Sequence, residues 1–421
     1  MNNYFESLTA MGSKLLMFGS TLMLMMVTIA GFSQTAYITH DYIDSVSAVD
    51  LMTSKVIATI KVGKNPKAVA PTPDGKKVYI TNSEDNSVSV INTADNTVCA
   101  TIPVDNYPFG IAISPDGAKV YVGNEKDETI KIISTATDKV IDRIPIGTEP
   151  QGLTMSHDGS KLYISDNFSS VVVLNTSNNK IIATIKVGRE PDGMALSPDG
   201  KTLYVTNFAD ETVSIVNTIS NSVTGLVKVD ANPFCICVRP DGKYVYVSNL
   251  NGNTVDVIDA FTNTISSTIE FTRNPEGVSM SQDGSKLYVA CSGSPTGLYV
   301  INTSTNEIIE TIPVNTNNVC SYGNFISFTP LAATTGIESK IIEPATAYIY
   351  PNPNNGIFNI KQSGNKNFEL EIFDVAGRKV FHQLIDNSIE TTINFTESSK
   401  GVYFYHLINE NETLRGKFVK E

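Results

Sequence analysis

Between residues 35 and 330 the apolar and polar positions fall into short strands punctuated by turns. Residues 194–229 show one unit. MALS is a short apolar run, and Pro198-Asp199-Gly200 follows as a tight turn, its glycine free to take the positive φ that such a turn requires. KTLYVTN (201–207) is rich in β-branched and aromatic residues. FADE (208–211) is a polar turn, TVSIVN (212–217) alternates with period two, TISN (218–221) turns again, and SVTGLVKV (222–229) closes the unit. The pattern predicts four antiparallel strands in about forty residues, and nowhere in the repeat does an apolar period of 3.6 persist.

The unit recurs. TPDGKKVYITN (72–82), SPDGAKVYVGN (114–124), SPDGKTLYVTN (197–207) and RPDGKYVYVSN (239–249) are near copies, and SHDGSKLYISD (156–166) and SQDGSKLYVAC (281–291) are looser ones. The turn glycines fall at 75, 117, 159, 200, 242 and 284, a period of 41 or 42 residues, which with four strands per unit signals a propeller blade. The repeated tyrosine occurs seven times (Tyr37, Tyr79, Tyr121, Tyr163, Tyr204, Tyr246, Tyr288), but the turn only six. The first unit, 35–61, therefore lacks its first strand, and GNFISFTP (323–330) looks like a first strand without a successor. Pairing the two orphans gives an all-β, seven-bladed propeller closed by its N- and C-terminal strands, with few exposed sheet edges.

These eleven-residue copies, with the NPxG-type turns before each first strand, resemble the YVTN-repeat β-propeller family of microbial surface-layer and secreted proteins. The resemblance covers 34–330. It implies the fold, and it assigns the Pro-Asp-Gly and Tyr positions to scaffold.

The flanks differ in texture. Lys14 precedes an apolar run, Leu15–Phe32, and Gly31 and Ser33 are small residues before Gln34, so 1–33 reads as a secretory signal peptide. The alternative, an uncleaved anchor, is weakened by Gly19, Ser20 and Thr21, and no second stretch is long and apolar enough to span a membrane. Residues 331–343 read as a linker, and 344–421 as strands and hairpins of a small β-sandwich. YPNPNNGIFNI (350–360), LEIFDVAGRKV (370–380) and GVYFYHLINENETLRGKFVKE (401–421) resemble, in order, the C-terminal sorting domain of the type IX secretion system of Bacteroidota. That resemblance implies the secretion machinery as a partner, passage across the outer membrane of a Gram-negative cell, and cargo attached at the surface or released.

Composition narrows the chemistry. A net charge of −12 and no basic stripe exclude a nucleic-acid partner. There is no Trp, and the five cysteines (Cys99, Cys235, Cys237, Cys291, Cys320) have neither zinc nor disulfide-framework spacing; Cys235, Cys237 and Cys320 read as buried free thiols. His40 and His157 occupy non-equivalent motif positions, so a copper or haem site built on imidazoles is not expected. No catalytic set can be argued from spacing. One ring stands out at the channel mouth: the residues before each proline, Asn65, Tyr107, Glu149, Glu190, Asn232 and Asn274, with Asn317 at the seventh position. Asn and Glu oxygens suit Ca2+ or Mg2+, so Glu149, Glu190, Asn65, Asn232 and Asn274 are candidate metal ligands. The alternative is structural, an extended residue ahead of proline facing solvent. The acidic loops (Glu84-Asp85, Glu125, Asp127-Glu128, Asp210-Glu211) read as a solvated rim. The expected function is a non-enzymatic, surface-displayed module for an extracellular glycan or protein, without a cofactor. The competing readings are a metal-assisted hydrolase or lactonase at the mouth ring and a purely structural surface-layer component.

Overall fold

A computed structural model of the chain describes residues 34–292, 296–315, 326–328, 347–350, 357–362, 367–374, 378–385, 390–408 and 413–420. The signal peptide and linker expected at 1–33 and 331–343, and Asn317 and Cys320, lie outside the described residues. The chain divides into two compact units, Met1–Ala333 and Thr334–Glu421. Among the described residues no helix is long and apolar enough to cross a membrane.

The first unit holds seven four-stranded antiparallel sheets, the blades of the expected propeller. Blade 1 runs through β1 (Thr35–His40), β2 (Ser45–Asp50) and β3 (Lys55–Lys61), and its inner strand is Ile326–Phe328 from the far end of the unit. Ala36 pairs with Phe328, Tyr37 with Ser327 and Ile38 with Ile326, so the ring closes as the two orphan segments required. Blade 2 is β4 (Pro66–Pro71), β5 (Lys77–Asn82), β6 (Ser87–Asn92) and β7 (Thr97–Pro103). Blades 3 to 7 repeat that order through residue 315.

Each letter of the repeat has a physical task. The Pro-Asp-Gly turn closes on a hydrogen bond from the glycine N–H three residues back, 2.8 Å for Gly75 to Thr72. The six turn glycines lie at φ near +70°, where a Cβ is strained. Their missing Cβ also makes room for the previous blade: one at Gly117, Gly159 or Gly284 would sit about 3 Å from Pro73, Pro115 or Pro240. The turn aspartate accepts from a Ser or Thr hydroxyl, as Asp116 does from Ser114 at 2.5 Å, and this bond holds the Asp116 carboxyl below its usual range. The tyrosine spans to the next blade. Tyr37 Oη donates to Asn96 Oδ1 at 2.7 Å and Tyr79 Oη to Asp138 Oδ1 at 2.6 Å, while both rings are fully buried. The final Asn bonds inward: Asn82 Nδ2 donates to Ser87 and Ser89, and Asn207 Nδ2 to Thr212 and Ser214. Between the blades, buried Val, Ile and Leu from facing sheets make continuous clusters, such as Val88, Val90, Ile102, Ile111, Val120 and Val122.

The second unit is a small β-sandwich. One sheet holds Ala347–Tyr350, Ile357–Gln362 and Glu390–Asn394, and the other holds Phe368–Phe373, Lys379–Ile385, Gly401–Ile408 and Thr413–Lys420. Ile360 and Ile393 of the first meet Leu370, Ile372 and Leu407 of the second in one core.

Candidate functional site

Each inner strand begins at the proline, and in blades 2 to 7 its pairing with the second strand breaks between that proline and the residue three positions on. Two residues leave the ladder there, which re-aims the first of them. The six re-aimed residues are Lys67, Phe109, Gln151, Asp192, Phe234 and Glu276, and all six line one cavity of about 260 Å3. The preceding blade fixes them: the hydroxyls of Thr39, Thr81, Ser165, Thr206 and Ser248 donate to the backbone carbonyls of Lys67, Phe109, Asp192, Phe234 and Glu276 at 2.7–2.9 Å. These donors are the Thr or Ser of the repeat, so its third letter is what holds the mouth in shape.

The second of the two residues is Gly110, Gly152 or Gly193 in blades 3 to 5. A Cβ on any of them would collide with a backbone carbonyl of the next blade, at Gln151, Asp192 and Phe234 respectively. The inner strands approach too closely there for any side chain. A second ring of cavity residues comes from the position after the repeat Asn, with Asn167, Phe208 and Leu250 facing in.

The lining is aromatic and acidic. Phe109, Phe208 and Phe234 are half-buried around it, and Glu276 is fully buried. Among the described residues Lys67 is the lining's cation, and its Nζ lies 3.3 Å from Asp41 Oδ2, a buried carboxylate on the loop after β1. Burial pushes the Asp192 carboxyl up to about 7, and no hydrogen bond or ion pair reaches that carboxylate among the described residues.

The residues before the prolines behave differently from the expectation. Asn65, Tyr107, Glu190 and Asn232 have φ between 51° and 58°, so the backbone is left-handed there, where an extended residue was expected. The side chains of this ring bond to neighbouring loop residues. Asn65 Nδ2 donates to Glu84 at 3.3 Å, Glu149 Oε2 accepts from Asn167 at 2.9 Å, and Asn232 Oδ1 accepts from Asn251 at 2.8 Å. Asn274 shows its carbonyl bonded to the Ser292 N–H. Among the described residues of this ring, only Glu190 lines the cavity, at its exposed edge. Among the described residues no three His, Cys, Asp or Glu are grouped to hold a metal ion. The acidic loops are more than a solvated rim: Asp85, Asp127 and Asp210 accept from the backbone N–H of Lys64, Asn106 and Arg189 at 2.6–2.7 Å, tying one mouth loop to the other. Cys235 and Cys237 are half-buried free thiols, the latter pushed up to about 12 by burial; Cys291 is buried and Cys99 exposed.

Comparison with known proteins agrees with this architecture. Residues 28–200 match the family model of the YNCE-like β-propeller, 170–309 that of the seven-bladed β-propeller lactonase, and 348–421 that of the secretion system C-terminal sorting domain. No curated protein matches. Among solved structures, a functionally unknown protein from Desulfotomaculum acetoxidans is similar at 18% identity and TM-score 0.60, covering 68% of this chain and 99% of that one. Hydrazine synthase from Kuenenia stuttgartiensis is similar at 20% identity and TM-score 0.55, over 60% and 87%. The dihydro-haem d1 dehydrogenase NirN is similar at 16% and 0.53, over 69% and 75%. At such identities the likeness is one of fold alone. The chain is a seven-bladed β-propeller followed by a small β-sandwich unit that matches the secretion system C-terminal sorting domain.

Proposed function

We propose that this protein, sent to the cell surface or the extracellular space by its sorting domain, is a binding module that holds a carbohydrate in the propeller mouth. One observation carries the reading. The repeat keeps proline before the re-aimed position in all six blades, yet that position itself reads Lys67, Phe109, Gln151, Asp192, Phe234 and Glu276. Sites that serve the ring alone repeat with it; this one differs in every blade but two. Phenyl faces beside amide and carboxylate groups suit a sugar ring, which stacks its C–H face and exchanges hydrogen bonds at its edge. The cavity has room for a residue or two of a glycan, not a protein domain.

The test is a glycan-array screen of the full chain and of its Phe208→Ala, Phe234→Ala variant, each first checked for an unchanged melting transition. Binding to a defined glycan, weakened at least about tenfold in the variant, is expected. No glycan bound, or undiminished binding in the variant, overturns the reading. A second reading, lactone or ester hydrolysis, is favoured by the lactonase-model match over 170–309 together with Asp192, whose carboxyl near 7 has the basicity of a general base at neutral pH. Lactone turnover abolished in Asp192→Asn is the result that would select it.

A further inference from the structure

The charge of the mouth is unbalanced in a way the scaffold does not require. Among the described residues its lining carries three carboxylates, Glu190, Asp192 and Glu276, against one cation, Lys67, and that cation is already engaged by a fourth carboxylate, Asp41, at 3.3 Å. The carboxylates come from blades 5 and 7, on either side of Phe234 in blade 6. Phe208, from the second ring, and Phe109, from blade 3, complete the aromatic lining. Elsewhere in the propeller Asp210 is spent on Arg189, and Asp105 on Lys131 and Arg143. Asp192 has no such partner among the described residues.

An anionic ligand is repelled by this lining. A neutral ligand can hydrogen-bond the carboxylates but leaves their charge uncompensated. A cation gains from both components: it neutralises a carboxylate in a site of low dielectric, and it is attracted to the negative face of a phenyl ring. A primary ammonium fits better than a metal ion, since a hard divalent cation needs six or more oxygens in a closed shell and the side chains of Phe109, Phe208, Phe234 and Leu250 offer it none.

We propose that the mouth recognises a protonated primary amine, seated against Phe208 and Phe234 and charge-paired by Asp192, with Glu190 and Glu276 supplying the surrounding negative potential. This deepens the mouth-binding reading and rests on it. An amino sugar and an alkyl diamine share that chemistry, and the experiment separates them.

Isothermal titration of the full chain at about pH 7.5, where Asp192 is mostly ionised, uses two matched pairs: glucosamine with glucose, and putrescine with its uncharged isostere 1,4-butanediol. Each amine is expected to bind at least about tenfold tighter than its neutral partner, with the preference lost in Asp192→Asn. Glucosamine alone binding identifies an amino sugar, and putrescine binding as well identifies the ammonium group itself as sufficient. Glucose and butanediol binding as tightly as the amines, no amine binding at millimolar concentration, or an unchanged preference in Asp192→Asn each overturns the proposal. In the first of these cases a positive glycan array still stands, so the amine inference fails without the carbohydrate reading. Should Asp192→Asn fold poorly, Glu190→Gln at the exposed edge reads the same loss of charge preference in a smaller step.

Discussion

His40 stands where most blades place asparagine, and the exchange leaves a titratable defect in the ring. Asn82 satisfies two hydroxyls at this position, whereas His40 Nε2 meets Ser47 Oγ alone among the described residues, at 2.8 Å. Among the described residues its Nδ1 and the Ser45 hydroxyl are buried without hydrogen-bond partners. Burial lowers the imidazole to about 4, from 6.5 in a solvated chain. The folded state thus binds its proton more weakly than the unfolded state. Stability from this group is complete above about 6.5 and is lost as pH falls toward 4. His40→Asn restores the repeat, gives Ser45 a partner and removes the titration. It should stabilise the propeller by on the order of 2 kcal/mol more at about pH 5 than at neutral pH, the pH-dependent part alone. Urea unfolding of both proteins at the two pH values measures this directly, and an equal gap at both would show that His40 is not the acid-sensitive group.

At the scale of the blade, two kinds of glycine can be told apart. Gly147 lies in a mouth loop at φ +71° with nothing within 4 Å of a built Cβ, so alanine there meets only backbone strain. Gly193 has no such φ, but its Cβ would fall on the Phe234 carbonyl, which is fixed in turn by Thr206. Gly147→Ala should cost about 1 kcal/mol and Gly193→Ala more than about 3 kcal/mol, since neither neighbouring strand can retreat within a closed ring. Comparable losses from the two substitutions in denaturant unfolding would remove close approach as the reason for the inner glycines.

The same strand shows what was and was not legible in the sequence. The period, the four strands, the missing first strand of 35–61 and its partner near 323–330 could all be read, because each is a repeated solution to one packing problem. The mouth residues could not. The register break after each proline is a three-dimensional event with no side-chain signature, so counting by alternation misplaces the residues that follow. The expected ligands Asn65, Glu149, Glu190, Asn232 and Asn274 share a chemistry and only Glu190 of them lines the cavity, whereas the re-aimed residues that line it are marked by having no chemistry in common. Variation within an otherwise invariant repeat was the available signal.

On the scale of the whole molecule, stability depends on a three-residue strand contributed from some three hundred residues away. Each blade buries its faces only against its neighbours, so the ring is cooperative only if blade 1 is whole. Ile326–Phe328 covers the inner edge of β1, whose Ala36, Tyr37 and Ile38 are almost fully buried, and Ala36 and Ile38 pack with Leu298, Val300 and Ile312 of blade 7. Ser47 of blade 1 reaches the Val314 carbonyl at 3.2 Å, a second tie across the same joint. A chain ended at Ala333 keeps the strand, and one ended at Asn315 does not, while both lack the sorting domain. The shorter chain should melt about 5 °C or more below the longer one, over a broader transition, and should self-associate through the bare edge of β1. Calorimetry with light scattering on the two proteins decides the matter. If both melt at one temperature with one width and stay monomeric, blade 1 is held by its neighbours alone and the closing strand is dispensable.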